Sequence, residues 1–258
     1  DMDGTLTPPR GVMSQAMLNA LIELQKNNFR IGIVSGSDFD YIMQQCAIIQ
    51  EINQFSYHKV DFFPCNGTKH YTLDLNCNKI INYEKNMIDE IGRPIYNQIL
   101  FKLFKIQHNF YQSEYASTIP LTGNFIQYRG SMINFCPIGR NASLEGRELF
   151  VKLDNKHKIR QNIFESYFKN FNFTNITVKL GGETSFDIYP KGWDKSYVLK
   201  NFNISDKIWF VGDKCVGNGN DKEIYDIINR SSRAFQTMSP LDTQSIIQKI
   251  LKEEKHAR

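Results

Sequence analysis

The spacing of hydrophobic residues near the front of the chain alternates between a helical and a strand period. Residues 14–28 (SQAMLNALIELQKNN) carry apolar side chains at helical spacing, and Ser14 is a suitable N-cap. Residues 29–38 (FRIGIVSGSD) and 60–68 (VDFFPCNGT) are short apolar runs that end in turns, as buried parallel strands do. Residues 40–49 between them return to helical spacing. This alternation predicts an α/β fold with a parallel sheet.

The pattern changes in the middle of the chain. Residues 71–85 predict two short strands around a turn, and residues 87–111 predict a long amphipathic helix that is interrupted near Gly92–Pro94. Residues 123–139 alternate like an antiparallel hairpin, and a further helical stretch and two strands follow up to residue 190. We therefore expect an α+β insertion at this point.

Strand and helix patterns then alternate again to the end of the sequence. KIWFVGD predicts a buried strand that ends in a carboxylate, and DTQSIIQKILKEEK predicts a closing helix. The core is therefore expected to be split in sequence. We predict a catalytic core from residues 1–70 and 191–258, with a cap from residues 71–190.

Composition excludes several classes of protein. The chain has 258 residues and a formal net charge of +4, which is too small to imply nucleic-acid binding. It has five cysteines, an odd number, and none of them lies in a CxxC or Cys/His spacing typical of metal ligands. We therefore expect no disulfide framework and no structural zinc. No apolar run approaches the roughly 18 residues of a membrane span, and no signal peptide opens the chain. These features predict a cytoplasmic protein.

Three turns of the sequence carry carboxylates. One opens the chain, and the other two follow predicted parallel strands. They contain Asp1 and Asp3, then Asp38 after Ser35-Gly36-Ser37, and then Asp213 and Asp221 in GDKCVGNGND. Ligands of open α/β sheets bind at the carboxyl ends of the strands. Carboxylates that converge there have the oxygen ligands that Mg²⁺ prefers.

Asp1 and Asp3 have residue types suited to two different tasks. A carboxylate beside a metal ion is an oxygen nucleophile for a phosphoryl group, and a second carboxylate nearby is a general acid and base. Gly4 and Thr5 leave room for phosphate and offer donors to it. The alternative interpretation of the acidic pair alone is a disordered terminus.

Four segments resemble the motifs of the haloacid-dehalogenase-like (HAD) phosphotransferases: DMDGTLT, the Ser35-Gly36-Ser37 turn, Lys195 in GWDK, and GDKCVGNGND. FFPCNGT, FIQYRGSMINFCPIGR and GGETSFDIYPKGWDK extend this resemblance to the eukaryotic phosphomannomutase family. The resemblance covers nearly the whole chain. It implies a HAD-like Rossmannoid parallel-sheet core with an inserted α+β cap.

The resemblance also implies roles for individual residues. Asp1 is the phosphorylated nucleophile, Asp3 the acid and base, Lys195 the neutralising cation, and Ser37 a phosphate hydrogen-bond donor. The implied metal ligands are Asp1, the backbone carbonyl of Asp3, and Asp213, with Asp221 beside them. The implied substrate-binding residues are Arg10, Arg129, Arg140, Arg147, Ser185 and Asp187. Taken singly, each arginine is also explained as a solubilising surface charge.

The implied activity is a Mg²⁺-dependent interconversion of mannose 6-phosphate and mannose 1-phosphate that feeds GDP-mannose synthesis. A hexose 1,6-bisphosphate would prime it by phosphorylating Asp1, and the resemblance implies a homodimer formed through the cap. Two alternatives stay open, a sugar-phosphate phosphatase of the same superfamily and a non-enzymatic binder with the same fold.

The sequence departs from the family pattern at three places. Ser35 stands where glycine is usual, so either serine of the turn is a candidate phosphate donor. Asp226 is displaced by one position and a following proline is absent, which puts a second cation site in doubt. The apolar strand that normally precedes the nucleophile is not among the numbered residues, and we expect the numbering to begin inside a longer chain.

Overall fold

The computed structural model describes residues 1–55, 59–169 and 173–256. It divides into a core unit, Asp1–Glu84 with Trp193–Arg258, and an inserted unit, Lys85–Gly192. The second boundary lies within two residues of the predicted one. The first lies at residue 84 instead of residue 70, because the two strands after residue 68 extend the core sheet.

The larger sheet of the core unit has the order β1-β2-β3-β4. Strands β1 (Gly32–Val34) and β2 (Asp61–Phe63) are parallel, as predicted. Strands β3 (Lys69–Leu73) and β4 (Lys79–Glu84) continue the sheet in antiparallel pairing. Their mutual pairing is the hairpin that the pattern of residues 71–85 predicts.

The core helices bury apolar faces against these strands. Helix α1 (Gln15–Lys26) begins at Ser14, whose hydroxyl accepts a hydrogen bond from the Met17 amide at 3.2 Å, so the predicted cap is confirmed. Met17, Leu18 and Leu21 are buried together with Ile33 of β1. The other helices in the first part of the core are α2 (Phe39–Cys46) and α3 (Gln50–Phe55).

The second part of the core unit has a two-stranded parallel sheet. After the inserted unit come β9 (Phe210–Gly212), α8 (Lys222–Asn229), β10 (Ala234–Gln236) and α9 (Pro240–His256). The segment Lys195–Asn201 is a 3₁₀ helix. Asp194 caps it by accepting a hydrogen bond from the Ser196 amide at 2.9 Å.

The inserted unit has a four-stranded antiparallel sheet with the order β5-β6-β8-β7. The predicted hairpin is formed by β5 (Ile126–Tyr128) and β6 (Ile133–Phe135), and the last two strands are β7 (Ile176–Gly181) and β8 (Ser185–Pro190). Phe135 pairs with Phe186 in register, and their rings stack with centroids 5.9 Å apart.

Helices of the inserted unit show the interruption predicted near Gly92 and a second one, at Lys158, that was not predicted. Helix α4 (Met87–Ile91) and helix α5 (Arg93–Tyr111) are separated at Gly92, which has φ +81°. Helix α6 (Leu144–His157) ends at the left-handed Lys158, and α7 (Ile159–Ile163) and a π-helical turn follow. Among the described helices, none has the length and apolar character needed to cross a membrane.

Candidate active site

A buried ammonium group between two carboxylates forms the centre of the candidate site. Lys195 Nζ lies 2.5 Å from Asp1 Oδ1 and 2.6 Å from Asp221 Oδ1. The side chain of Lys195 is fully buried, as is that of Asp221. Lys195 is the first residue of the capped 3₁₀ helix, so Asp194 fixes the backbone from which this side chain extends. The ammonium group therefore joins the first residue of the sequence to the loop after β9.

Asp213 completes a cluster of three carboxylates. Oxygen atoms of Asp1, Asp213 and Asp221 lie within 4.8 Å of one another. Lys195 pairs with two of these three carboxylates, so negative charge exceeds the positive charge in direct contact with the cluster. Burial raises the pKa of Asp213, and repulsion from Asp221 acts in the same direction although Lys214 opposes it. Such a charge excess is best compensated by a divalent cation.

Asp221 is held by hydrogen bonds to both of its oxygen atoms. Oδ1 accepts from Lys195 Nζ and Oδ2 accepts from the Lys214 amide at 3.0 Å. Burial acts to raise its pKa, but the positive charges of Lys195 and of the Asp1 amino group, together with the hydrogen bonds from Lys195 and the Lys214 amide, outweigh burial, and the pKa lies below its ordinary value. Asp221 is therefore an ionised anchor for Lys195 and for the loop that carries Asp213.

Close backbone packing brings the DMDGT turn against the GDK loop. Gly4 has φ +79°, and a Cβ atom there would lie 2.4 Å from Asp213 Oδ2. At Gly212, a Cβ atom would lie 2.8 Å from the Asp221 carboxyl carbon. Neither position has space for a side chain, so the two glycines allow the carboxylates to approach.

The remaining contacts of the front turn orient its two aspartates differently. Thr5 Oγ1 donates to Asp1 Oδ2 at 3.3 Å, and the Asp1 nitrogen donates to the Val211 carbonyl in β9 at 2.9 Å. Asp3 Oδ1 instead accepts from the Arg10 amide at 3.2 Å. The carboxylate of Asp3 is not part of the trio, so any contribution of Asp3 to the predicted metal site would come from its backbone.

The donors of this site suit a hard cation. The three clustered side chains offer only carboxylate oxygens, which are the ligands of Mg²⁺ and Ca²⁺. Asn220 Oδ1, next to Asp221 in sequence, is buried and makes no hydrogen bond within the described part of the chain. An unpaired buried carbonyl oxygen is costly unless it meets a cation or water. Asp1, Asp213 and Asp221 therefore fit a divalent metal ion.

The serine turn follows β1. Ser35 is buried, and its Oγ accepts a hydrogen bond from the Ser37 amide at 3.1 Å. Ser37 is half-buried, and its carbonyl accepts from the Cys65 amide. Since the Ser35 hydroxyl holds the turn, Ser37 remains the better candidate for a phosphate contact, and this role stays a prediction.

The predicted residue Arg10, and Asp226 of the doubtful second cation site, are not members of the carboxylate cluster. Arg10 is exposed and contacts Asp3 through its backbone amide. Asp226 lies on an exposed part of α8 and pairs with Lys222, one helical turn away. Asp226 therefore adds no ligand to the trio.

The inserted unit gathers its predicted substrate-binding residues around β6 and β8. Arg129, Ser185 and Asp187 are buried, and Arg140 is half-buried. Arg140 Nη1 donates to Asn134 Oδ1 at 2.7 Å. Burial lowers the pKa of the Arg140 guanidinium, and repulsion from Arg129 adds to the effect. Guanidinium groups in such surroundings are a suitable receptor for phosphate.

Arg147 is buried and contacts the loop after β6 that carries Arg140. Its guanidinium donates to the Ala142 carbonyl at 3.2 Å, to Thr184 Oγ1 at 2.8 Å and to the Arg140 carbonyl at 2.6 Å. These contacts hold the backbone that carries Arg140. A direct contact of Arg147 with substrate stays a prediction.

Comparison with known proteins decides the family. A family model described as eukaryotic phosphomannomutase matches residues 17–253. The phosphomannomutase of Drosophila melanogaster is 34% identical over 254 residues, which cover 97% of this chain and 93% of that protein. The Saccharomyces cerevisiae phosphomannomutase is also 34% identical, over 96% of this chain and 91% of that protein. The chain belongs to the eukaryotic phosphomannomutase family.

Solved structures support the fold of this phosphomannomutase family member. An IMP-bound mutant of the IMP-nucleotidase from Plasmodium falciparum superposes with a TM-score of 0.66 and 16% identity, over 98% of this chain and 65% of that chain. An N-terminally truncated form gives a TM-score of 0.62. At this identity the likeness concerns the fold alone, which is HAD-like as predicted.

Sequence reasoning on this family member missed two supporting residues. Asn134 contacts Arg140, Ser185 and Asp187, although it is flanked by two apolar residues of β6. A polar residue inside an apolar strand was the available signal. Thr184 receives a hydrogen bond from Arg147, and nothing in its sequence neighbourhood indicates this contact.

Removal of the buried ammonium group tests its role in the cluster. We expect Lys195→Met to lower the free energy of unfolding by about 3 kcal/mol, because buried carboxylates lose their partner. Urea unfolding in a chelator measures the change. Lys222→Met is the matched control, because Lys222 pairs with Asp226 on the surface. Similar stability of the two variants would contradict a structural role for the buried pair.

A methyl group at Gly4 tests the close packing against Asp213. We expect Gly4→Ala to weaken divalent-cation binding by about tenfold or more, because the new Cβ displaces an Asp213 oxygen. Gly217→Ala is the control, because Gly217 also has positive φ but nothing lies within 4 Å of its added Cβ. Calorimetric titration with Mg²⁺ measures both, and equal affinities would contradict the packing argument.

Proposed function

We propose that the protein interconverts mannose 6-phosphate and mannose 1-phosphate and so supplies GDP-mannose synthesis. The observation that carries the proposal is the cluster of Asp1, Asp213 and Asp221 around Lys195, in a chain of the phosphomannomutase family. The inserted unit supports a mutase over a phosphatase, because a bisphosphorylated sugar needs binding groups for a second phosphate. Arg129 and Arg140 are the proposed groups.

Mg²⁺ is the proposed metal, held by Asp1, Asp213 and the backbone carbonyl of Asp3, with Asp221 beside them. When bound, it would neutralise negative charge on the phosphoryl oxygens. Lys195 contributes a fixed positive charge next to Asp1, and Thr5 orients the second Asp1 oxygen. Phosphoryl transfer depends largely on this kind of positioning and charge stabilisation.

Asp1 acts as the nucleophile in the proposed cycle. An Asp1 oxygen forms a bond to the phosphorus of a hexose 1,6-bisphosphate, and the bond from that phosphorus to the sugar oxygen breaks. Asp3 donates a proton to the departing sugar oxygen, and the Arg10 amide holds this carboxylate. In the return step Asp3 takes a proton from the free C1 hydroxyl of an incoming mannose 6-phosphate, and this oxygen accepts the phosphoryl group from Asp1. The bisphosphate so formed turns end for end, and transfer of its 6-phosphoryl group to Asp1 leaves mannose 1-phosphate.

Most of the proposed substrate contacts lie in the inserted unit. Arg129 and Arg140 bind the phosphate that is not transferred, Ser185 and Asp187 bind sugar hydroxyls, and Arg147 holds the backbone of Arg140. Ser37 donates to the phosphate that is transferred. The remaining predicted residue, Arg10, is a further contact to the substrate from the core unit.

A homodimer formed through the inserted unit is part of the proposal. Helix α5 supports it, because Phe101, Phe104 and Tyr111 are exposed on this helix by 72%, 62% and 64%. Large aromatic side chains are enriched in interfaces between subunits. The proposed compartment is the cytoplasm, in agreement with five cysteines that are all free thiols.

The substitution Arg140→Ala separates the mutase from a phosphatase. We expect isomer exchange to fall by about 100-fold or more, because a charged phosphate contact is lost. Release of phosphate from hexose 1,6-bisphosphate should fall much less. Arg93→Ala, at an exposed arginine of α5, is the control. Equal losses in both assays, or a wild-type protein that only releases phosphate, would favour a phosphatase.

A charge on helix α5 tests the proposed dimer. We expect Phe104→Glu to shift the protein from dimer to monomer, because burial of a carboxylate in an apolar interface is unfavourable. Light scattering over a concentration series measures the molar mass. Leu75→Glu is the control, because Leu75 is 78% exposed in the core unit. A wild-type protein that is monomeric at all concentrations would contradict the proposal.

A further inference from the structure

The register of the inserted sheet places one polar row across all four strands. Asn134 of β6 pairs with Gln127 of β5 and with Asp187 of β8, and Asp187 pairs with Lys179 of β7. Side chains directly opposite each other in neighbouring strands lie on the same face. The residues before and after Asn134 and Asp187 are apolar and buried, and they belong to the other face: Ile133, Phe135, Phe186 and Ile188.

Asn134 uses both ends of its amide within this row. Oδ1 accepts from Arg140 Nη1 at 2.7 Å. Nδ2 donates to Asp187 Oδ1 at 2.7 Å and to Ser185 Oγ at 3.0 Å. The residue is only 3% exposed, so these partners replace water. A neutral amide thus lies between a guanidinium and a carboxylate.

The carboxylate of Asp187 is also confined on its other side. A Cβ atom at Gly181 would lie 2.6 Å from Asp187 Oδ2, which shows how closely this oxygen packs against the Gly181 backbone. Ser185 Oγ, the second acceptor of the Asn134 amide, donates to the Gly181 carbonyl at 2.7 Å. Strands β7 and β8 therefore fix one side of Asp187, and Asn134 fixes the other.

Arg140 is supported independently of Asp187. Its backbone amide donates to the Asn124 carbonyl at 3.2 Å, and its carbonyl accepts from Arg147 Nη2 at 2.6 Å. With its backbone fixed, the guanidinium can change partner through its long side chain alone. Without the amide of Asn134, the nearest available partner of opposite charge in this row is Asp187. A direct ion pair would take up the positive charge that an incoming phosphate needs.

We infer that Asn134 is a positioning residue that separates Arg140 from Asp187, so that the guanidinium stays available to a phosphate and the carboxylate to a sugar hydroxyl. The inference rests on the proposed function, because it concerns the binding of a phosphosugar. It assigns to Asn134 a role in substrate affinity and none in the transfer of the phosphoryl group.

Two substitutions at Asn134 test this role. Asn134→Ala removes the separating amide. In Asn134→Asp the side chain keeps its size, but the new carboxylate pairs with Arg140 and has no N–H group to donate to Asp187. We expect either change to raise the KM for mannose 6-phosphate by roughly 10- to 100-fold, the effect of a charged hydrogen bond, and to leave kcat within about threefold. Asn109→Ala is the matched control, because Asn109 makes one side-chain hydrogen bond, to Tyr167, elsewhere in the same unit.

A double substitution distinguishes separation of charges from simple support of the fold. In Asn134→Ala/Asp187→Asn the carboxylate that would capture Arg140 is absent. We expect its KM to be lower than that of Asn134→Ala, although Asp187→Asn alone raises KM. Independent structural losses would instead add, and a double variant that is worse than both single variants would overturn the inference.

A direct measurement of binding tests the role of Asn134 separately from the proposed mutase activity. Calorimetric titration of the full chain with mannose 6-phosphate reports affinity even when no isomer is exchanged. A wild-type protein that binds the sugar phosphate but does not exchange isomers would contradict the mutase and leave the role of Asn134 measurable. An unchanged KM and affinity in Asn134→Asp would overturn the inference and leave the mutase intact.

Discussion

The structure of the core site depends on one interaction, the buried ammonium of Lys195 between Asp1 and Asp221. Oxygen atoms of three carboxylates lie within 4.8 Å of one another, which is unfavourable in a buried position unless positive charge is placed among them. Lys195 supplies one charge and links three distant parts of the chain: the front turn, the 3₁₀ helix after Asp194 and the loop after β9. The excess of negative charge that remains explains why the site fits a divalent cation.

The two units use charge in opposite ways. In the core unit, carboxylates exceed cations, which suits a metal ion and the phosphoryl group that it would accompany. In the inserted unit, burial lowers the pKa of Arg140, repulsion from Arg129 and Arg147 adds to this effect, and Asp187 acts in the opposite direction. In the inserted unit, an anionic sugar phosphate would neutralise the positive charge of the guanidinium groups directly. In the core unit, a bound cation would first have to offset the negative charge of the carboxylates.

Much of the fold could be predicted from the sequence because local patterns agree with the final structure. The Ser14 cap, the break at Gly92 and the β5–β6 hairpin follow from rules that act over a few residues. The boundary at residue 84 could not be predicted in this way, since it depends on the pairing of β3 with β2. The site residues came from motifs, whereas Asn134 and Thr184 act through contacts between residues about 40 to 50 positions apart. Contacts of that kind leave little trace in local spacing.

The central claim is that Asp1, held by Lys195 and Thr5, carries the phosphoryl group during turnover. The most direct test is to incubate the protein with a hexose 1,6-bisphosphate and a divalent cation, trap the acyl phosphate with borohydride, and map the modified residue by mass spectrometry. We predict reduction at Asp1 only, with no label in Asp1→Asn. Label at Asp3, or isomer exchange with no trapped residue in the wild-type protein, would contradict the claim.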